Sequence, residues 1–516
     1  MRILAIYPYT HISSAALLIN GKLVSASAEE RFNRIKMSTD FPDKSIEWCL
    51  RSNNLKIDDI DEIVIPWNPG KNIANASNRW TSEIRWRGEL LSNIPSRLLR
   101  IKNGEEPDQI LTKIDNLKIK FLNHHECHAA SAFYTSGFKE ANILTIDGHG
   151  ENETCFIGDF NKNQIRKLFT IQYPHSVGLL YGTFTNFLGF KPDHDEWKVM
   201  ALSSYASKKN KYDSIIENIY SLNDNGFELN LRYFSFYTFD RQKNFFSNEF
   251  EKLFGLPRLK NTKLLRRHFE IAGALQRSFS KIVNHLIKKC KSINRASNNL
   301  ILSGGAAMNC VFNGTLQNNK YYKNNFISGY PDDLGVSIGA CYLAYFKNKK
   351  RSKFKRERSC FFGPKFSDKE IKHTLDRYRI AYNKPNNIFK TTASLLSNGK
   401  LIGWFQDNME FSHRALGNRS ILADPRNSEM QKTLNLKIKY RESFRPFAPS
   451  ILKEDVSEWF EMETESPYML IVSNVKNTKL LKKEGTLNKY GFDRLKESLS
   501  SVPAITHVDC SARVQT

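Results

Sequence analysis

The 516 residues are 40% apolar and include 35 Phe and 20 Tyr, which suffices to bury a core and excludes a wholly disordered chain. Lys and Arg total 77 against 53 Asp and Glu, and the formal net charge of +24 indicates either anionic partners, such as nucleotides and phosphates, or a surface of solvated lysines. The eight cysteines form no CxxC pair and no apolar run approaches 18 residues, so we predict reduced thiols, no membrane-spanning helix and a cytoplasmic protein.

The predicted elements alternate between strands and helices. Apolar runs at 2–7, 15–19 and 23–28 predict three strands, and Asn20-Gly21 predicts a hairpin turn between the last two. The following patterns predict a helix over 45–55, strands at 62–66, 142–147, 154–158 and 299–303, helices over 335–346, 367–378 and 389–398, and a strand at 400–405. Strands with intervening helices predict the α/β class.

A basic segment divides the chain. Residues 347–358 contain eight basic residues and follow a predicted helix. We predict a first domain over 1–346, a linker over 347–358 and a second domain over 359–516. A strip that binds phosphate or nucleic acid is the alternative, but Phe354 is the only aromatic residue of the segment, which favours a solvated linker.

Three of the twelve histidines lie between residues 124 and 128. Asn123 is suited to cap a helix there, with Glu126 at the capping-box position. In that helix His124 and His128 lie one turn apart on one face, and two such imidazoles can share a divalent metal. The alternative is a polar pair on an exposed helical turn.

Acidic and glycine-rich motifs follow the predicted strands. Asp147 ends one strand and precedes Gly148, and its carboxylate could supply an oxygen ligand to the same metal as the histidines; Asp332-Asp333 opens the helix at 335–346 as a second such element. The small or polar positions that suit the approach of a nucleotide are Gly148, Gly304, Gly305 and Asn309. With His11 in an N-terminal turn, these motifs occur in the order of the phosphate loops of the actin and sugar-kinase fold. A plain turn residue is the alternative for His11.

A second motif block lies at 410–450. Eight Arg or Lys residues between 414 and 445 alternate with Leu416, Phe444 and Phe447. Arginine presents planar, bidentate donors to phosphate oxygens. We therefore predict an anion pocket rather than a solvated face.

Together these motifs resemble the O-carbamoyltransferase family that includes the nodulation-factor, cephamycin and tobramycin carbamoyltransferases. The resemblance runs from residue 2 to the last residue and is carried by HHECHAASAF, LTIDGHGE, DEWKVMALSSY, LSGGAAMN, RALGNRSILADPR, KYRESFRPFAP and PAITHVDCSARVQ. It implies an actin-like domain similar to the tRNA threonylcarbamoyl-transfer protein, followed by a YrdC-like α/β domain. In such proteins the second domain joins carbamoyl phosphate and Mg-ATP into carbamoyl-adenylate, and the first transfers the carbamoyl group to an acceptor hydroxyl beside a metal, usually iron.

The resemblance also implies a set of site residues. These are the metal ligands His124, His128, Asp147 and Asp333, the general base His11, the facing lysine Lys198, the carbamoyl-phosphate and ATP contacts Arg414, Lys439 and Arg445, and a further cation Arg513. Two imidazoles and two carboxylates suit Fe(II), Mn(II) or Zn(II) more than Mg(II). An ordinary surface lysine is the alternative for Lys198.

The chain departs from the family pattern in three places and at its end. The family usually has Gly where Asp407 stands, Gly-Pro at Ser412-His413 and Gly-Thr at Cys510-Ser511. It also continues past the segment that matches 502–516. We therefore expect an incomplete second domain that leaves apolar side chains of 370–470 facing water.

The acceptor expected from the resemblance is a hydroxyl of a sugar or another small natural product. Its pocket should come from irregular stretches such as 70–115 and 206–265. Two alternative functions remain. The first is tRNA modification, which the positive charge favours, although nucleic acid is the less favoured partner. The second is a degenerate relative that binds nucleotide or metal without turnover. The sequence leaves homodimerisation open.

Overall fold

The computed structural model describes residues 1–71, 94, 97–98, 119–161, 163–238, 243–347, 349, 355–481 and 491–516. The chain forms two compact units, residues 1–358 and 359–516. In the part of the chain that is described, no helix has the length and apolar character needed to cross a membrane.

Two sheets organise the first unit. Its strands are β1 (Arg2–Tyr7), β2 (Ser14–Ile19), β3 (Lys22–Ala28), β4 (Glu62–Ile65), β5 (Ile119–Phe121), β6 (Ala141–Ile146), β7 (Glu153–Asn161), β8 (Gln164–Gln172), β9 (Tyr220–Asn223), β10 (Gly226–Leu229), β11 (Asn299–Ser303) and β12 (Asn324–Phe326). The first sheet has the order β3-β2-β1-β4-β5 and the second the order β8-β7-β6-β11-β12, while β9 and β10 form a separate hairpin.

The two sheets repeat one topology. β1 pairs antiparallel with β2 and parallel with β4, as β6 pairs antiparallel with β7 and parallel with β11. A duplicated sheet of this order, with helices on its faces, is the actin-like α/β architecture that the resemblance implied, and the predicted fold class is confirmed.

Helices cover these sheets. They are α1 (Glu30–Asn33), α2 (Asp43–Arg51), α3 (His124–Ser136), α4 (Val177–Phe187), α5 (Glu196–Ser203), α6 (Tyr212–Glu217), α7 (Asn248–Phe254), α8 (Arg266–Ile293), α9 (Cys310–Thr315) and α10 (Val336–Phe346). α3 follows the last strand of the first sheet but packs on the second, whereas α10 follows the last strand of the second sheet and packs on the first. The two helices cross closely at Gly339, where an added Cβ would overlap the carbonyl oxygen of Cys127.

The predicted N-terminal elements agree with the structure to within a few residues. Asn20 (φ +50°) and Gly21 (φ +83°) form the turn between β2 and β3, and two left-handed residues are typical of a hairpin. The helix predicted over 45–55 ends at Arg51. The Asn53 side chain donates to the Cys49 carbonyl at 2.8 Å, and Asn54 is left-handed (φ +53°), so the chain leaves the helix there.

The second unit has shorter elements. They are α11 (Asp368–Arg377), α12 (Ile388–Ser397), β13 (Ile402–Phe405), β14 (Arg419–Leu422), α13 (Met430–Thr433), α14 (Val456–Trp459), β15 (Ile471–Asn474) and β16 (Ser511–Val514). β13 pairs with β14 and β15 with β16, both antiparallel. A core of buried apolar side chains surrounds Phe460 and Val514 beneath the β15–β16 pair.

The helices α11 and α12 bury no residue. Large apolar side chains stand exposed on these helices and the neighbouring segments, among them Ile371, Tyr378, Ile380, Ile388, Phe389, Leu395 and Phe405. We call this surface, formed by residues 366–405, the α11–α12 face. The relation to the YrdC fold and the missing end remain predictions.

The end of the predicted linker is not free in solvent. The backbone N–H of Glu357 donates to the carbonyl of Thr135 at 2.9 Å, and the guanidinium of Arg356 lies 5.3 Å from the centre of the Phe326 ring. Arg356 and Glu357 therefore contact the first unit, while Lys355 and Arg358 are exposed, and the linker over 347–358 stays a prediction. Residues 348 and 350–354 of the linker, and most of the stretch 70–115, lie outside the described residues.

Candidate metal centre and anion site

The start of α3 is fixed by two side chains. The side chain of Asn123 accepts a hydrogen bond from the N–H of Glu126 at 3.1 Å, which confirms the predicted N-cap. The N–H of His124 donates to the carboxylate of Glu151 at 3.0 Å, and Glu151 also accepts from the N–H of Asn68 at 2.8 Å. Since an anion at a helix N-terminus is favourable, Glu151 holds the first turn in place.

His124 and His128 are fully buried, so the reading of an exposed polar pair is wrong. Their Nε2 atoms lie 3.1 Å apart. Oδ2 of Asp147, directly after β6, lies 3.1 Å from Nε2 of His124 and 3.0 Å from Nε2 of His128. Oδ1 of Asp333, just before α10, lies 3.5 and 3.4 Å from the same two nitrogens. One donor atom from each of these four residues falls within 4.8 Å of the others.

Three of the four residues, His124, Asp147 and Asp333, have a further partner that orients the side chain. Nδ1 of His124 lies 3.3 Å from the carbonyl of Pro66, which suits an imidazole with its free nitrogen at Nε2. The N–H of Gly305 donates to Oδ1 of Asp147 at 3.1 Å, and the hydroxyl of Tyr7 donates to Oδ2 of Asp333 at 2.8 Å. The donors are thus aimed at one point before any ligand arrives.

Opposite charges balance within this cluster. Burial alone would lower the pKa of His124, but hydrogen bonds to Asp147 and Asp333 raise it well above its ordinary value. Burial opposes ionisation of Asp147 as well, yet the hydrogen bonds from His124 and His128 hold its pKa well below the usual range. A divalent cation would replace the imidazole protons, and two nitrogens with two carboxylates fit Fe(II), Mn(II) or Zn(II).

The third histidine of the motif has a different role. Nδ1 of His125 lies 2.6 Å from the hydroxyl of Thr145, and Nε2 lies 2.9 Å from the carbonyl of Glu153. Burial, then the charges of His124 and His128, lower the pKa of His125 to about 3. His125 is therefore a neutral residue whose two ring nitrogens connect α3 to strands β6 and β7 of the second sheet by hydrogen bonds.

The predicted nucleotide positions are largely engaged within the protein. Gly304 is left-handed (φ +87°), and an added Cβ there would overlap the backbone of Ile146. Gly305 donates to Asp147, and Asn309 caps α9 while exchanging hydrogen bonds with Gln276 at 3.1 and 2.9 Å. Open space surrounds Gly148, where an added Cβ would meet nothing within 4 Å. A nucleotide-binding role for the four positions remains a prediction.

The turn after β1 brings His11 against the loop before α5. The rings of His11 and His194 stack with centroids 5.3 Å apart. Burial, then the charges of His11 and Lys191, lower the pKa of His194 to about 4. Lys198 is largely buried and its Nζ lies 3.1 Å from a carboxylate oxygen of Asp195, so it is not an ordinary surface lysine.

Glu196 is a candidate that the sequence analysis missed. Its carboxylate accepts from the N–H of Asp193 at 2.8 Å and lies against Gly182 beside the ring of Phe245. Burial and then the charge of Asp193 raise the pKa of Glu196 to about 8. Its place in the DEWK motif was visible, but its burial depends on elements distant in the sequence.

Cations cluster in the second unit. Burial, then the charges of Arg441, Arg419 and Arg445, lower the pKa of Lys439. Burial and then Arg513 lower the pKa of Arg441 in the same way. Because the neighbouring cations repel one another and lower each other's pKa, a bound anion would stabilise their charged forms. Lys439, Arg445 and Arg513 were predicted, whereas Arg419 and Arg441 were not singled out.

Glu410 shapes the loop that carries Arg414 and Arg419. Its buried carboxylate accepts from the backbone N–H groups of Leu416, Asn418 and Arg419 at 2.8, 2.8 and 3.1 Å. The carboxylate thereby replaces the pairing that a regular element would supply. The signal in the sequence was a lone Glu before a glycine-containing loop, which is too common to be recognised.

Two departures from the family pattern fall at left-handed backbone. Asp407 has φ +46° and Cys510 has φ +63°, where the resembled family has glycine. A side chain is strained at such angles. The chain therefore keeps the turn geometry without the glycines.

Comparison with known proteins matches both units to one family. Residues 2–342 match the family described as Carbamoyltransferase N-terminus, and residues 393–516 match Carbamoyltransferase C-terminus. The chain is 36% identical over 543 residues to an uncharacterised protein of Synechocystis, covering 100% of this chain and 86% of that protein. It is 31% identical over 515 residues to nodulation protein NolNO of Sinorhizobium fredii, covering 98% and 70%. It is 30% identical over 225 residues to the 3'-hydroxymethylcephem-O-carbamoyltransferase of Amycolatopsis lactamdurans, covering 42% and 36%.

Proposed function

The chain belongs to the carbamoyltransferase family, and from this premise we propose that it makes carbamoyl-adenylate from carbamoyl phosphate and Mg-ATP and passes the carbamoyl group to a hydroxyl of a small acceptor. The observation that carries the proposal is the presence of two different clusters in one chain. The first unit holds a buried set of metal donors, and the second holds a cluster of mutually repelling cations.

Adenylation is assigned to the second unit. Both substrates are phosphate anions, and the cations around Lys439 are the groups of this unit that suit them. Water releases phosphate from carbamoyl phosphate. An oxygen of the resulting carbamate attacks the α-phosphorus of ATP, and pyrophosphate leaves. Arg414, Lys439, Arg445 and Arg513 would neutralise charge on the phosphates.

Transfer is assigned to the first unit. The acceptor oxygen attacks the carbamoyl carbon, its proton passes to a base, and AMP leaves. His11 is the proposed base, and the neutral ring of His194 stacks against it. Lys198 lies in α5, four residues after His194 in the sequence. A metal held by His124, His128, Asp147 and Asp333 would supply positive charge to the phosphate of the adenylate.

The acceptor is proposed as a sugar or another hydroxylated natural product. The relative from Amycolatopsis lactamdurans is named for O-carbamoylation of a hydroxymethyl group. The stretch 206–265, which is expected to contribute to the acceptor pocket, contains α6, the β9–β10 hairpin and α7 within its described residues.

The test separates the two assigned sites. Arg445→Ala should abolish carbamoyl-phosphate-dependent exchange of labelled pyrophosphate into ATP, because a cation that contacts the substrates is lost. Arg377→Ala, which removes an exposed arginine of α11 in the same unit, is the matched control and should leave exchange unchanged.

His11→Ala should retain that exchange and lose the acceptor-stimulated release of AMP, measured with a panel of sugars and hydroxylated natural products. Loss of both activities in both variants, with thermal unfolding unchanged, would contradict the two-site assignment.

A further inference from the structure

Tyr7 touches the metal-donor cluster although it belongs to none of its motifs. It is the last residue of β1, it is 1% exposed, and its hydroxyl donates to Oδ2 of Asp333 at 2.8 Å. Its ring stacks on that of His124 with centroids 5.9 Å apart. The contact joins residues 326 positions apart in the sequence.

The duplicated fold gives Tyr7 a counterpart. β1 and β6 occupy corresponding places in the two sheets, as do α3 and α10 after the last strands. Asp147, at the end of β6, contacts the histidines that begin α3. Tyr7, at the end of β1, contacts the carboxylate that precedes α10. In each repeat, the residue at the end of the central strand thus contacts metal donors at the start of the helix that follows the other repeat's last strand.

The chemistry of the contact is directional. A carboxylate oxygen can only accept, so the hydroxyl of Tyr7 is the donor to Oδ2 of Asp333. Because Oδ2 of Asp333 accepts this hydrogen bond, Oδ1 is the oxygen that faces Nε2 of His124 and His128 at 3.5 and 3.4 Å.

We propose that Tyr7 is a positioning residue of the metal centre, which holds Asp333 so that a single carboxylate oxygen, Oδ1, is presented to the ion. The inference rests on the proposed metal site and adds to it a residue that no motif contains. Such outer partners of metal ligands commonly change affinity 10- to 100-fold when removed.

The test measures binding of the metal alone to the full chain. Tyr7→Phe removes the hydroxyl and retains the ring on His124. We expect the dissociation constant for Mn(II), measured from the electron paramagnetic resonance of free Mn(II), to rise about tenfold or more. With Co(II), freeing Oδ2 lets Asp333 bind through both oxygens, and the higher coordination number should weaken the visible absorption of the bound ion.

Tyr322→Phe is the matched control. The hydroxyl of Tyr322 is also buried, but it accepts a hydrogen bond from Asn142 at 2.8 Å and contacts none of the metal donors. This variant should alter neither Mn(II) affinity nor the Co(II) spectrum. Unchanged affinity in Tyr7→Phe, or weaker binding with an unchanged Co(II) spectrum, would overturn the positioning role while leaving the metal centre in place. Failure of the wild-type chain to bind Mn(II) or Co(II) would instead overturn the metal centre, and the role of Tyr7 with it.

Discussion

The fold favours the protonated form of the Glu196 carboxyl group. Burial and the charge of Asp193 raise its pKa from 4.5 to about 8. In its protonated form this carboxyl group, which lies beside Gly182 and Phe245, both donates and accepts hydrogen bonds. An anionic substrate beside it would meet less repulsion.

The same shift predicts a pH dependence of stability. Between pH 4.5 and 8 the unfolded chain releases the Glu196 proton while the folded chain keeps it, so stability falls as pH rises through this window, by less than about 1.4 kcal/mol per pH unit. His124, His125 and His194 add their own pH dependence to wild type and variant alike, so the melting temperature of wild type relative to Glu196→Gln should fall between pH 5 and 8. Glu217→Gln, which changes an exposed residue, should show the same pH dependence as wild type. An equal decline in Glu196→Gln and wild type would refute the shift.

The site residues differ in how far the sequence could reveal them. His124 and His128 were predictable because their spacing matches one helical turn and Asn123 marks its start. Asp147 was predictable because it follows an apolar strand. Tyr7 was not, because its partner is brought close only by the packing of two sheets.

At the scale of elements, the crossing of α3 and α10 sets the distance between the histidines and Asp333. Gly339 permits this crossing, since an added Cβ would overlap the carbonyl of Cys127. α3, which carries His124 and His128, and α10, which follows Asp333, therefore pack almost backbone to backbone.

Two glycine substitutions should have opposite effects. Gly339→Ala should destabilise the first unit by about 1–3 kcal/mol through overpacking, although alanine is normally the better helix former. Gly182→Ala in α4 should be neutral or stabilise by up to about 1 kcal/mol, because its Cβ would meet atoms only at 3.8 Å and beyond. Thermal unfolding of the two variants gives the comparison. Equal effects would mean that the crossing can widen freely.

Elements were predicted better than their arrangement. The strands 2–7 and 299–303 match β1 and β11 because apolar runs bounded by turns are local signals. The duplication of the sheets gave no periodic signal, because the repeats share strand order and direction rather than residue types.

At the scale of the whole molecule, the described parts of the two units differ in burial. In the first unit β1, β6 and α3 are almost wholly buried. In the second unit the α11–α12 face presents Ile371, Phe389 and other large apolar side chains to water. Few buried contacts imply a low free energy for local opening.

Limited proteolysis should follow this difference. We expect trypsin to cut between 365 and 400, where α11 and α12 bury no residue, at lower enzyme amounts than within the largely buried α8. Mass spectrometry of early fragments identifies the sites. Cleavage within α8 before any cut in 365–400 would show that the α11–α12 face is protected.

The exchange of α3 and α10 between the sheets has a mechanical consequence. His124, His128 and Asp147 lie on α3 and at the end of β6, both part of the second sheet and its packing, whereas Asp333 lies between β12 of the second sheet and α10, which packs on the first. An ion held by all four would link the second sheet to α10 through the carboxylate of Asp333. Separation of α10 from α3 would remove Asp333 from the ion and leave the other three donors in place, so the rate at which the ion exchanges with solution would report how often the two helices separate.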